Sequence, residues 1–204
     1  MKHFYQENDI ELGIDEAGRG CLMGPLCVGS VIMGDMEDKP PHEIKDSKKC
    51  SPKIRKILRE YIENNAIAFN VQFVWEKEID EVNVLQATMN GMHRCADEIT
   101  KEIAIDRILV DGTQFPVYLD SDFEPIEHIC VPQGDNIYTN IAAASILAKE
   151  YHDEYIVNLV KANPELEGYD LLNNKGYGTK KHIDCIKKNG ISEWHRKSFC
   201  KRFY

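Results

Sequence analysis

No run of apolar residues in this 204-residue sequence approaches the roughly 18 that a bilayer-spanning helix requires. The opening stretch, Met1 to Glu11, mixes charges with aromatics and holds no apolar signal core. A cytoplasmic chain without a membrane partner is therefore expected. No C-x-x-C occurs, which removes the common thiolate zinc site and redox motif. The seven cysteines, Cys21, Cys27, Cys50, Cys95, Cys130, Cys185 and Cys200, are odd in number and irregular in spacing, unlike a secreted disulfide framework. Most should act as small core hydrophobes. His128-x-Cys130 sets two metal-ligating types on one strand face, but a single pair closes no site. Repeats, low-complexity tracts and Gly/Ser linkers are also missing. What remains, 43% hydrophobic and 29% charged, is globular composition, in a length that suits one domain or a domain with a small appendage.

Positive charge is in deficit as well. The net charge of −9 argues at first against a nucleic-acid partner. Its distribution tempers that reading. From Lys175 to Arg202 nine basic residues face only Asp184 and Glu193, and a second basic cluster runs from Lys45 to Lys56. Solvated faces would explain both. Acids gathered in one site would equally deepen the negative total, and bound metal would offset them.

The hydrophobic pattern reads as strands at Glu11–Ile14 and Leu26–Met33, joined by a glycine-bearing turn. Ser51 and Pro52 form an N-cap and first helical position, opening a helix to about Asn64. Ala66–Val74 alternates as a strand, and Val82–Lys101 has helical period. Short strands are expected at Arg107–Val110, Pro116–Leu119 and Ile126–Val131. A long helix follows from Asn140 to about Val160, where Ala142, Ala143, Ala144 and Ala148 permit close packing. Turns and short helices fill the rest from Pro164. Strands first, then strands and helices interleaved, predict an α/β domain with a mixed sheet.

Chemistry concentrates at strand ends. Asp15 and Glu16 close an apolar strand, where adjacent carboxylates are costly to bury without a positive partner. Gly18-Arg19-Gly20 then sets a guanidinium between residues that let the backbone approach a ligand. A dinucleotide fingerprint fits poorly: its third glycine arrives one residue late, at Gly24, and Pro25 leads into a strand instead of a helix. Asp111, after Ile108-Leu109-Val110 and before Gly112, repeats the pattern, although Asp-Gly is often only a turn. Asp135 precedes the alanine-rich helix, where an acid also suits the helix dipole. Together the four acids can form an oxygen cage for magnesium or manganese.

Asp15-Glu16-Ala17-Gly18-Arg19-Gly20 resembles the signature of the type 2 ribonucleases H, the ribonuclease HII family. Further blocks follow in the family's order. These are Asp46-Ser47-Lys48-Lys49, Asn83 with Thr88, Val110-Asp111-Gly112, and Asp135 with the run Ala142 to Lys149. Asp153, Gly176-Tyr177-Gly178-Thr179 with His182, and His195-Arg196-Lys197-Ser198-Phe199 complete them. The sequence departs from the family's habit at Cys50, Gly134 and Thr139, none of which is a ligand position. It ends at Tyr204, soon after the basic block, so neither a long C-terminal partner-binding extension nor the N-terminal domain of the ribonuclease HIII branch is expected.

The resemblance implies a ribonuclease H-like mixed sheet flanked by helices, with a small helical C-terminal part. Residues 1–163 would form the catalytic domain and 164–204 a substrate-binding segment of the same compact unit, acting as a monomer. It implies Asp15, Glu16, Asp111 and Asp135 as catalytic and metal-binding acids for two Mg2+ or Mn2+ ions, with Asp15 central and Asp153 in support. The substrates implied are RNA–DNA hybrids and DNA containing ribonucleotides, as in ribonucleotide excision repair. Cutting would fall 5′ of the ribonucleotide by two-metal-ion catalysis, leaving 5′-phosphate and 3′-hydroxyl ends. Gly18, Arg19 and Gly20 would contact the 2′-hydroxyl. Ser47, Lys48, Lys49 and Lys180 would hold phosphates without reading bases. Tyr177, which the residues alone would leave as a half-buried core tyrosine, would pack on the sugar following an RNA–DNA junction. Two rival readings stand beside this one: a catalytically silent hybrid-binding module, which retention of all four acids disfavours, and a nucleotide-dependent enzyme, which the glycine spacing disfavours.

Overall fold

The computed structural model describes residues 1–34 and 39–204. Within them six strands form one mixed sheet: β1 (Glu11–Ala17), β2 (Leu26–Met33), β3 (Ala66–Val74), β4 (Arg107–Asp111), β5 (Tyr118–Leu119) and β6 (Pro125–Val131), in the order β3-β2-β1-β4-β6-β5. The first three pair antiparallel, β4 and β6 extend the sheet parallel to β1, and β5 pairs antiparallel with β6. The central strands β1 and β4 run parallel and side by side, so their carboxyl ends deliver Asp15, Glu16 and Asp111 to the same edge of the sheet.

Among the described residues seven α-helices flank the sheet: α1 (Pro52–Asn65), α2 (Glu76–Val82), α3 (Val84–Thr100), α4 (Thr139–Ala162), α5 (Leu171–Asn174), α6 (Lys180–Asn189) and α7 (Lys197–Cys200). Ser51 caps α1 as expected, its hydroxyl accepting from Ile54 N. The helix expected over Val82–Lys101 forms as α3, and a short helix that was not expected, α2, precedes it. Asn83 adopts φ 70° and its side chain accepts from both Leu85 N and Gln86 N, ending α2 and starting α3 afresh. The strand expected at Glu11–Ile14 continues to Ala17, and the one expected at Pro116–Leu119 shortens to Tyr118–Leu119.

Helix α3 covers one face of the sheet over a core that includes Leu12, Ile14, Val28, Met92 and Ile108. Helix α4 crosses the other face with almost no gap. A Cβ at Gly13 would lie 2.3 Å from the Asn140 backbone, and one at Gly29 would lie 2.4 Å from the Ala144 oxygen. Glycine on the strands and alanine on the helix are thus two halves of one contact. The far half of α4, through Ile156, Leu159 and Val160, joins Leu22, Met23, Leu166, Tyr169, Leu171 and Ile186 in a separate cluster. Five of the seven cysteines are buried and none is paired. Among the described residues no helix is long and apolar enough to cross a membrane.

Candidate active site

Asp15 is buried on β1, with Oδ1 accepting from Glu16 N at 2.7 Å. Burial, then the charges of Glu16 and Asp111, hold its carboxyl well above the usual aspartate range, against a hydrogen bond from Ser145. Glu16 is raised too, by burial and by Asp111, although Arg19 at 3.3 Å and Lys48 pull it down. Asp111 is anchored at the end of β4 by Gly134 N, 2.7 Å from its Oδ1. Asp135, in the single turn Gly134–Asn136 before α4, is pushed up to about 6 by burial and then by Asp111 and Asp46. Asp111 is therefore the common neighbour of the other three acids.

The donor set suits a hard divalent cation. Four carboxylates offer only oxygen, their repulsion lacks a buried positive charge, and a cation would relieve both burial and repulsion. Among the described residues no three His, Cys, Asp or Glu side chains form a ready-made metal cage.

Beside the acids lies a cleft of about 420 Å³ lined by Glu16, Gly18, Arg19, Gly20, Ser47, Lys48, Ser145, Lys149 and Tyr177, with Ala17. Seven of the expected site residues thus line one cleft. Asp15, Asp111, Asp135, Lys49 and Lys180 lie outside its lining. Ser47 is buried, its hydroxyl 3.0 Å from that of Ser145, which links it to Asp15. Lys49 reaches Asn136, whose amide donates to Asp135 at 2.8 Å. Lys180 is exposed at the start of α6.

The Gly18–Gly20 loop is held from behind. Gly18 has φ 79°, and a Cβ there would strike the buried His152 ring at 2.5 Å, so only glycine fits. Tyr177 is 37% exposed, and its hydroxyl accepts from Gly18 N at 3.2 Å. Arg196 is fully buried and donates to Gly18 O at 2.8 Å, Arg19 O at 2.9 Å and Gly24 O at 3.0 Å.

Two members of the basic clusters are thereby reassigned. Arg196 is a clamp on the loop and not part of a basic surface. Arg55 is buried against Glu150 at 2.7 Å and holds the Ser47 and Cys50 carbonyls. Asp46, Ser145 and Lys149 join the site unannounced as individual residues, although all three fall inside recognised blocks. Lys149 donates to Asp153 at 2.8 Å, and Asp153 also meets His152 and Arg55, which fits a supporting role.

A family model described as Ribonuclease HII matches residues 12–203. The ribonuclease HII of Christiangramia forsetii is 42% identical over 204 residues, spanning 98% of this chain and 94% of the relative. Among solved structures, ribonuclease H2 of Pyrococcus horikoshii OT3 superposes with a TM-score of 0.72 at 24% identity, over 95% of this chain and 98% of that one. Bst-RNase HIII in complex with Mn2+ superposes with a TM-score of 0.65 at 19% identity, over 88% of this chain and 62% of that one. At those identities the structures show a shared fold, the sheet with flanking helices expected from the sequence.

Proposed function

Because the chain belongs to the ribonuclease HII family, we propose that it is a divalent-metal-dependent endonuclease that hydrolyses the RNA strand of RNA–DNA hybrids. We propose further that it cuts 5′ of ribonucleotides embedded in DNA, leaving 5′-phosphate and 3′-hydroxyl ends. The observation that carries this reading is the acid cluster Asp15, Glu16, Asp111 and Asp135, only partly offset by the exposed Arg19 and Lys48, beside a clamped glycine loop.

The acids would hold Mg2+ or Mn2+, two ions in our reading, which when bound supply charge neutralisation and a more acidic attacking water. Everything else falls to the chain. Asp15 and Asp111, fixed on adjacent strands, hold their carboxylates without reorganising. With the Gly18 and Arg19 carbonyls occupied by Arg196 and the Gly18 N–H by the Tyr177 hydroxyl, the loop meets a 2′-hydroxyl with the main chain of Arg19 and Gly20 and the exposed Arg19 guanidinium. Lys48 and Lys149 line the cleft as phosphate partners, and Lys180 extends that track outward. Tyr177 offers a ring to the sugar after the junction. We read residues 1–163 as the catalytic domain and 164–204 as the segment that brings Tyr177 to it.

Digestion of parallel duplexes bearing one or several ribonucleotides, with Mg2+, with Mn2+ and after exhaustive chelation, tests the reading. Metal-dependent nicking 5′ of the ribonucleotide is expected. Full cleavage without metal, or binding with no cleavage under any metal, would overturn it.

A further inference from the structure

Tyr177 reaches the cleft from a tight loop, and the loop's main chain is tied to a buried histidine pair. His182 and His195 are essentially inaccessible to solvent, with their Nε2 atoms 3.1 Å apart. At each end the pair meets a backbone group whose role is fixed by chemistry, and the Ser192 hydroxyl, 2.8 Å from His195 Nδ1, can donate to the same nitrogen. Ser192 N lies 2.9 Å from His195 Nδ1, and a backbone N–H can only donate, so that nitrogen is bare. The proton of His195 therefore sits on Nε2 and points at His182 Nε2, which must accept. The proton of His182 then sits on Nδ1, 3.0 Å from the Tyr177 carbonyl, which can only accept. Assignments made from the two ends agree, and no other neutral arrangement satisfies all three contacts.

We infer that His182 and His195 form a proton-ordered strut running from Ser192 N–H to the Tyr177 carbonyl, and that this strut sets the ring of Tyr177 for recognition of the sugar beyond an RNA–DNA junction. The pair touches no substrate; both are positioning residues. Their surroundings fit a fixed arrangement. The Tyr169 ring packs edge-on against both imidazoles, at 4.8 Å from His195 and 5.9 Å from His182. Its hydroxyl is spent on Gly190 O, so it offers the pair no competing partner. The loop has few alternatives, because a Cβ at Gly176 would meet Met23 O at 2.4 Å. A doubly protonated member would set two N–H groups against each other and push the loop out of place. The inference rests on the reading of Tyr177 as a sugar contact.

Nitrogen-15 NMR of the intact protein at neutral pH reads the strut directly. His182 is expected as the Nδ1–H form and His195 as the Nε2–H form. The opposite form of either, or a charged imidazole, overturns the inference. Kinetics then separates positioning from mere stability. The ratio of kcat/KM for a single embedded ribonucleotide to that for a long hybrid is expected to fall roughly tenfold in His195→Leu. His195→Gln, whose amide can still donate to His182, should restore most of that ratio. Equal losses on both substrates, or no rescue by glutamine, overturn the strut. Tyr177→Ala supplies the reference. If it leaves the ratio unchanged, the sugar-contact reading fails and the inference fails with it. If it lowers the ratio while His195→Leu does not, the strut alone fails. Should His195→Leu not fold, the tautomers of the native protein and the kinetics of the glutamine variant decide.

Discussion

The two ends of the central strands both gather carboxylates and treat them in opposite ways. At the amino end, Arg107 on β4 lies in register with Glu11 on β1 and Glu127 on β6. Its guanidinium bonds Asp9, Glu11 and Glu127, while Glu11 also accepts from Tyr5 N and Gln6 N. At the carboxyl end Asp15, Glu16, Asp111 and Asp135 meet, and the nearest ion pair is Glu16 with the half-exposed Arg19. One cluster pairs its carboxylates with a resident cation, although Arg107 Nε is left without a hydrogen-bond partner. The other carries repulsion that Arg19 and Lys48 offset only in part, and that imbalance distinguishes a site from a joint.

The contrast is broken most sharply by Asp15→Asn. Cleavage should fall on the order of 10³-fold or more, the scale of losing a group on which the chemical step depends. Metal-free melting should stay level or rise, since one repelling charge is gone. A clear fall in metal-free Tm would make Asp15 structural instead. Arg107→Met is the mirror experiment. Three carboxylates would lose their cation, at a cost of about 3–5 kcal/mol, lowering Tm by roughly 10 °C. Activity per folded molecule should persist, and its loss with stability intact would erase the distinction.

Acidity sharpens the comparison further. The folded protein holds Asp135 protonated up to about pH 6, against an ordinary value of 3.8, so folding favours its acid form. This contribution is complete below 3.8 and is lost as pH rises toward about 6. Metal-free Tm should drop over that interval by roughly 2–4 °C, the response to about 1 kcal/mol once solvent screening is allowed for. Asp135→Asn should flatten the drop, and an unchanged profile would show that the repulsion is not felt. The smallest effect is expected from Lys180→Gln with Lys181→Gln. Lys181 is already bridged to Asp170 at 2.7 Å, so the salt slope of hybrid binding should ease by about one phosphate contact instead of two. A wild-type slope would leave both lysines as solvated surface.

The sheet was legible wherever period and punctuation agreed. Leu26–Met33 and Ala66–Val74 emerge with the expected bounds, and Ser51-Pro52 starts its helix as read. The helix α2 went unread because Glu76–Val82 is short and largely acidic, and the positive φ at Asn83 that separates it from α3 has no sequence signature. Within the site, the acids and the Gly-Arg-Gly loop were visible as residue types at strand ends. The roles of Arg196 and Arg55 were not. Counting charge treats every guanidinium alike, whereas burial among carbonyls depends on partners 177 and 178 residues away for Arg196. Neutral histidines such as His182 and His195 add nothing to a charge tally, so their pairing leaves no mark there.

Arg196 also fixes an order in time. On a ribosome the Gly18–Gly20 loop is made first, and the guanidinium that occupies its carbonyls is added 177 to 178 residues later. At roughly 5–20 residues per second, that interval lasts about 10–35 s. Asp15 and Glu16 spend it on a nascent chain whose neighbouring loop lacks its arginine clamp. The loop is therefore made well before the residue that sets it.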